Sequence, residues 1–145
     1  MIICGYQGCG KTTYCKNNPI TAYDLDSSAF VKCEGWEEKY IKLACFLSAK
    51  GKKVFISAHQ VVINYLVKHS IEFELLIPAQ NPKAWRSRLE FRYNTNPTQA
   101  NLNALLDFDK NFEKDMAFYK TLNCVKHEIS AKIVTNIADF IDSRD

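Results

Sequence analysis

The sequence predicts a three-layer α/β/α fold, a five-stranded parallel sheet with helices on both faces. Three observations carry this expectation. Short apolar runs alternate with longer amphipathic stretches from end to end, the pattern of strand–helix–strand units. A glycine-rich loop, Gly5-Tyr6-Gln7-Gly8-Cys9-Gly10-Lys11-Thr12, lies between the first apolar run and the first helical stretch. No linker, repeat or low-complexity tract divides the 145 residues, so they read as one domain, residues 1–145, long enough to bury a core.

Met1-Ile2-Ile3-Cys4 reads as a buried strand and Thr12-Thr13-Tyr14-Cys15-Lys16 as the opening of a helix. Asn17-Asn18-Pro19 ends that helix, because proline disfavours helical geometry in the residue before it. Residues 20–23 read as a second strand, closed by Asp24-Leu25-Asp26-Ser27-Ser28. Over residues 36–50, Trp36, Tyr40, Leu43, Ala44 and Leu47 recur at helical spacing, and Gly51 is a helix stop. Residues 54–58 form a third strand, and residues 59–68 a helix with Val62, Ile63, Leu66 and Val67 on one face. Residues 73–77 form a fourth strand, stopped by Pro78. Asn81-Pro82 opens a helix to about Tyr93, with proline at a favourable first position. Asn94-Thr95-Asn96-Pro97 breaks it, and a long helix follows over residues 98–122 with Leu102, Leu105, Leu106, Phe112, Met116 and Tyr119 on its apolar side. Residues 125–129 make the fifth strand and residues 133–141 a closing helix.

Composition bounds the function classes. The hydrophobic fraction is 47% and the charged fraction 24%, ordinary values for a globular chain. A net charge of +3 does not by itself mark a nucleic-acid binder. No apolar run approaches the roughly 20 residues of a membrane span. With the first strand at the N-terminus, no signal peptide is expected. The six cysteines (Cys4, Cys9, Cys15, Cys33, Cys45, Cys124) show no C-x-x-C pair and no metal-ligand spacing. They read as reduced thiols in a cytoplasm, the host's if the chain is viral.

The glycine-rich loop fits G-x-x-x-x-G-K-[ST], the phosphate-binding P-loop, in the strand–loop–helix context that the motif requires. Glycines let the backbone turn its N–H groups inward around phosphate oxygens, and a helix N-terminus adds its positive dipole end. The residues expected to hold ATP phosphates are Gly5, Gly8, Cys9, Gly10, Lys11, Thr12 and Thr13, with Cys9 serving as a small residue that fits the loop. Lys11 is expected to reach the β- and γ-phosphates and Thr12 to ligate Mg²⁺. In a parallel α/β sheet the ligand sits outside the carboxyl ends of the strands, so the ends after Cys4, Tyr23, Ala58 and Ile77 should face one crevice.

A second constellation stands where the second strand runs out. Asp24 and Asp26 are two apart, so an extended segment puts both carboxylates on one side. Asp24 is the candidate Mg²⁺ ligand, acting through the metal's waters, and Asp26 the group that faces the acceptor as a base or an orienting group. The competing reading is an Asp-Ser turn in which Asp26 or Ser27 caps a helix. The usual acidic Walker-B place is empty, since the third strand ends Ile56-Ser57-Ala58-His59. Ser57 or His59 can still touch substrate there, although a histidine at a helix start more often faces solvent. A third constellation follows the fourth strand. Arg88 and Arg92 share a helix face, beside an apolar stripe of Trp85 and Leu89. Their fork-shaped donors suit the neutralisation of phosphate charge. Arg86 lies on another face and points to an acceptor phosphate or to solvent.

The P-loop, the aspartates after strand two and the arginine helix after strand four together resemble the small P-loop kinases. That group includes the nucleoside monophosphate kinases, the shikimate and gluconate kinases and the kinase domain of polynucleotide kinase. More narrowly, Ala22-Tyr23-Asp24-Leu25-Asp26-Ser27-Ser28-Ala29-Phe30, and Arg88 and Arg92 followed by Asn94, look like nucleotide-kinase-like proteins of phages and low-GC bacteria. The resemblance spans nearly the whole chain. It implies a P-loop NTPase fold with a helical lid at about residues 80–95, Mg²⁺ as cofactor and ATP as co-substrate. Gly5, Gly8, Gly10, Lys11 and Thr12 carry over as phosphate binders. Asp24 and Asp26 match the Asp-x-Asp of shikimate kinase, and Arg88 and Arg92 match the lid arginines. Two departures stand out: there is no aspartate on strand three and no arginine near an acceptor phosphate after strand two.

The expected function is transfer of the ATP γ-phosphate to a small acceptor, a nucleotide or nucleoside, by Lys11, Asp24, Asp26, Arg88 and Arg92. The segment 27–40, with Phe30 and Trp36, would wall the acceptor pocket. The aspartates favour a hydroxyl acceptor and the resemblance favours nucleotides, so both stay open. A polynucleotide 5′-hydroxyl kinase or another small-molecule hydroxyl kinase is the alternative among kinases, the polynucleotide reading thinly supported by Lys32, Lys39 and Lys42 against Glu34, Glu37 and Glu38. A nucleotide-binding regulator without turnover is the alternative of another class, and a subunit of a larger NTPase machine is a weaker third.

Overall fold

The computed structural model describes residues 1–30, 32–79 and 81–130. The expected helix at 133–141 lies outside them. The described residues form an α/β fold with a five-stranded parallel sheet and five α-helices, compatible with a three-layer sandwich. The strands are β1 (Ile2–Gly5), β2 (Ala22–Asp24), β3 (Lys53–Ser57), β4 (Glu74–Pro78) and β5 (Val125–Ile129), in spatial order β2-β3-β1-β4-β5. No described helix is long and apolar enough to cross a membrane. Among the described residues two compact units are distinguishable, Met1–Ile77 with Cys124–His127, and Pro78–Asn123 with residues 128–130.

In the first unit, β1 lies between β3 and β4, and every one of its residues is buried. A central parallel strand is covered on both faces, which is why its sequence is apolar without alternation. Its register pairs Cys4 with Ile56 and Gly5 with Ser57 on β3, and Gly5 with Leu76 on β4. Strand β2 pairs Tyr23 with Val54 and Asp24 with Phe55. The first helix, α1 (Lys11–Asn17), starts one residue before the expected turn.

Strand β2 corrects the sequence reading. Ile20 was expected inside it, yet Ile20 is 78% exposed. The amides of Thr21 and Ala22 both donate to the Asn18 carbonyl, at 3.2 and 2.9 Å, so the turn after α1 consumes Ile20. The strand therefore begins at Ala22 and reaches as far as Asp24.

Helices α2 (Trp36–Ala49) and α3 (Gln60–Lys68) bury Tyr40, Ile41 and Ala44, and Val62, Ile63 and Leu66, respectively. The buried face of α2 is thus rotated from the expected stripe, and Leu43 is 38% exposed. On α3, Val67 is left out of the core. Gly51 follows α2 at φ +80°, a left-handed conformation that favours glycine and stops the helix.

The second unit is built on a helical hairpin, α4 (Pro82–Thr95) and α5 (Gln99–Lys120). Helix α4 outlasts the expected stop at Tyr93 by two residues. The Asn81 side chain accepts from the Ala84 amide at 3.1 Å, and the Thr98 hydroxyl from the Asn101 amide at 3.1 Å, capping both helices. Asn101, buried near the start of α5, donates through Nδ2 to the Asn96 carbonyl at 2.8 Å and fastens the hairpin turn. Trp85, Leu89, Phe108 and Tyr119 are its buried apolar side chains. Leu106 was expected on that face and is 55% exposed, while Phe108 takes the buried position.

Candidate functional site

The glycine-rich loop leaves β1 at Gly5. The Tyr6 amide continues the ladder towards β4 by donating to the Leu76 carbonyl at 2.9 Å. The Cys9 amide then closes a tight turn on the Tyr6 carbonyl at 3.2 Å. Gly8 (φ +82°) and Gly10 (φ +99°) are left-handed, which turns the backbone twice within three residues before α1 begins. An L side chain is strained at either position.

Gly5 is required for a different reason. A Cβ placed on it would stand 2.7 Å from Cys9 Sγ and 2.7 Å from Lys11 Cδ. The loop and the lysine stem fold back over the end of β1, leaving no room for a methyl group. Lys11 Nζ donates to the Gly5 carbonyl at 3.0 Å, so the ammonium is held at the mouth of the loop. Cys9 is 1% exposed and fills the loop from within.

Thr12 and Asp24, the two residues expected at a metal, meet directly: Thr12 Oγ1 donates to Asp24 Oδ2 at 2.8 Å. The pairing of Asp24 with Phe55 positions the carboxylate, and the helical start at Lys11 positions the hydroxyl. The donor set is a hydroxyl and a carboxylate, all oxygen and partly open to solvent. That chemistry fits a magnesium ion that keeps most of its waters. Among the described residues, no group of three or more His, Cys, Asp and Glu side chains forms a metal cluster.

Asp26 sits beyond the strand, where its Oδ1 accepts from the Ser28 amide at 2.9 Å and caps the short 3₁₀ turn Ser27–Ala29. Burial pushes its carboxyl up, but the Ser28 hydrogen bonds and the charges of Lys11 and Lys32 outweigh that and hold it below the usual carboxylate value. Asp26 is therefore ionised at neutral pH. Lys32 donates to the Ser27 carbonyl and lies 3.7 Å above the centre of the Trp36 ring. The ring of Tyr40 stands 5.1 Å from Phe30 and 5.6 Å from Trp36, so these aromatics form one cluster on the segment after β2.

Tyr40 also carries a link that sequence reasoning missed. Its hydroxyl donates to the Leu25 carbonyl at 2.6 Å and accepts from the Ser57 amide at 2.9 Å. It ties the chain leaving β2 to the end of β3. The available signal was a tyrosine on a buried stripe, whose hydroxyl demands a partner. Ser57 Oγ is itself buried and has no hydrogen-bond partner among the described residues. His59 is exposed and immediately precedes α3.

In the second unit, Arg88 and Arg92 lie one turn apart on α4, and the Arg88 guanidinium is 5.0 Å from the Trp85 ring. Arg86 departs from the expectation of an acceptor or solvent contact. It forms a two-pronged pair with Asp109 of α5, Nε to Oδ1 at 2.7 Å and Nη2 to Oδ2 at 3.0 Å, and a further contact with Glu90 at 3.0 Å. The geometry of that fork assigns Arg86 to holding the hairpin together.

The chain matches no known protein family, no curated protein and no solved structure.

Proposed function

We propose that this chain is a Mg²⁺- and ATP-dependent phosphotransferase with a small acceptor, a nucleotide or nucleoside, and that it has the P-loop NTPase fold. One observation carries the reading: the Thr12 hydroxyl and the Asp24 carboxylate meet at 2.8 Å beside a glycine-rich loop whose Lys11 ammonium is held at its mouth. This is the combination that a magnesium-bound triphosphate uses, an oxygen pair for the metal and a cation for the phosphates.

The roles follow from the chemistry of each group. The amides of the loop around Gly8, Cys9 and Gly10, with Thr13 behind them, hold the phosphates. Lys11 exchanges its contact with the Gly5 carbonyl for the β- and γ-phosphate oxygens. Thr12 and Asp24 hold Mg²⁺, which when bound neutralises charge on the phosphates. Asp26, kept ionised by Ser28, Lys11 and Lys32, is a weak base, so it acts by accepting a hydrogen bond from the acceptor and orienting it. The resemblance assigns Arg88 and Arg92 to neutralising charge on the transferring group, and that role is part of the proposal.

The test is ATP consumption with Mg²⁺ against a panel of nucleosides, nucleoside monophosphates, polyols and 5′-hydroxyl oligonucleotides. Turnover on one acceptor class, lost in Lys11→Ala and Asp26→Asn, is the expected result and names the substrate. Tight ATP binding with no acceptor-dependent turnover would replace the kinase by a nucleotide-binding regulator.

A further inference from the structure

The end of β3 holds a polar group that the fold leaves unused. Ser57 Oγ is buried, and no described residue donates to it or accepts from it. Its own amide is already taken by Tyr40 Oη, at 2.9 Å. An unpaired buried hydroxyl is unfavourable, and alanine in its place would remove that cost without opening a large void.

Three observations fix the face on which this hydroxyl lies. Ser57 is the register partner of Gly5, and a Cβ on Gly5 would run into Cys9 and Lys11, so that face of the sheet is the loop's face. Register partners on adjacent strands direct their side chains to the same face. Two residues earlier, Phe55 packs its ring 5.2 Å from Tyr14 of α1, and residues two apart on a strand share a face. Asp24 is the partner of Phe55, and its carboxylate reaches Thr12 of the same helix. Ser57 therefore projects to the side that carries Lys11, Thr12 and Asp24. It does so from the strand whose end has no carboxylate.

We infer that the Ser57 hydroxyl is the third oxygen of the metal–nucleotide site: it would hydrogen-bond a water of the magnesium that a bound nucleoside triphosphate carries, on the sheet face it shares with Thr12 and Asp24. This deepens the kinase reading and rests on it. A hydroxyl suits the place because Asp24 already supplies one negative charge, and a hydrated Mg²⁺ needs hydrogen-bond acceptors around its waters as well as direct ligands. The movement of Lys11 from the Gly5 carbonyl to the phosphates opens the space beside Ser57, since the lysine stem is what covers Gly5.

The experiment is calorimetric titration of the full chain with ATP, once in excess Mg²⁺ and once in EDTA, for the unaltered protein, Ser57→Ala and Ser57→Thr, with a melting curve for each. Ser57→Ala is expected to bind Mg²⁺-ATP about three- to tenfold more weakly, the effect of one lost hydrogen bond, and metal-free ATP unchanged. Without nucleotide, its melting temperature should equal or exceed that of the unaltered chain, by up to about 5 °C, because the orphaned hydroxyl is gone. Ser57→Thr, which keeps the hydroxyl, should bind both forms normally. Equal affinities for Ser57→Ala and the unaltered chain in Mg²⁺, or an equal loss in EDTA, would overturn the role assigned to Ser57 and leave the kinase reading standing. Failure of the unaltered chain to bind ATP in either condition would overturn both.

Discussion

Replacing Tyr40 by phenylalanine removes one oxygen from the centre of the first unit and nothing else. The ring keeps its packing against Phe30 and Trp36, at 5.1 and 5.6 Å. The oxygen makes two hydrogen bonds, to the Leu25 carbonyl at 2.6 Å and from the Ser57 amide at 2.9 Å, in a residue with no solvent exposure. Each bond contributes about 1 kcal/mol net, so the loss starts at about 2 kcal/mol. Both partners are backbone groups of a buried region, and each left unpaired adds up to about 1 kcal/mol more, for a total of about 2–4 kcal/mol. In a chain of this size that corresponds to a melting point lower by about 4–12 °C. Urea unfolding followed by tryptophan fluorescence and by circular dichroism reads the change directly, with the midpoint moving and the slope unchanged. A loss below about 0.5 kcal/mol would refute the reasoning, because it would mean that water or a neighbour replaces the hydroxyl at no cost.

Two further outcomes are expected. Gly5→Ala places a methyl group 2.7 Å from Cys9 Sγ and Lys11 Cδ, so the loop must shift, and ATP affinity measured by titration should fall at least about tenfold, roughly 1.4 kcal/mol or more; unchanged affinity would show that the loop is not the phosphate site. Asp26 is held below its ordinary value of 3.8 in the folded chain, so the stability its charge contributes is present above that value and is lost as pH falls through the lower, folded value. Asp26→Asn keeps the cap on Ser28 but not the charge, so the stability difference between the two proteins should shrink as pH is lowered from about 6 to about 3, in urea titrations at each pH; a constant difference would remove Lys11 and Lys32 as partners of the carboxylate.

The order and type of the described elements were legible in the sequence because each depends on local physics. The unbroken apolar run of β1 needs no alternation when both faces are covered, and Asn81-Pro82 and Thr98 are start signals whose caps act within three residues. The loop was legible for the same reason: Gly8 and Gly10 stand where its left-handed turns require glycine, and Gly5 where Cys9 and Lys11 leave no room for a side chain. What local pattern could not decide was which competing contact wins. Ile20 has a strand former's side chain, but the Asn18 carbonyl draws the Thr21 and Ala22 amides into a turn and leaves Ile20 in solvent. The apolar face of α2 is set by what the sheet presents to it, so Tyr40 and Ile41 are buried while Leu43 is partly exposed.

The sequence alone determined the elements and the candidate loop, since each depends on residues no more than a few positions apart. Tertiary structure decided the pairings between distant residues: Thr12 with Asp24, Tyr40 with Leu25 and Ser57, Arg86 with Asp109. It also left the Ser57 hydroxyl without a partner among the described residues. These follow from strand register and helix–helix contact, which bring together groups that the chain separates by 12 to 23 residues, and no local propensity encodes which of them will meet.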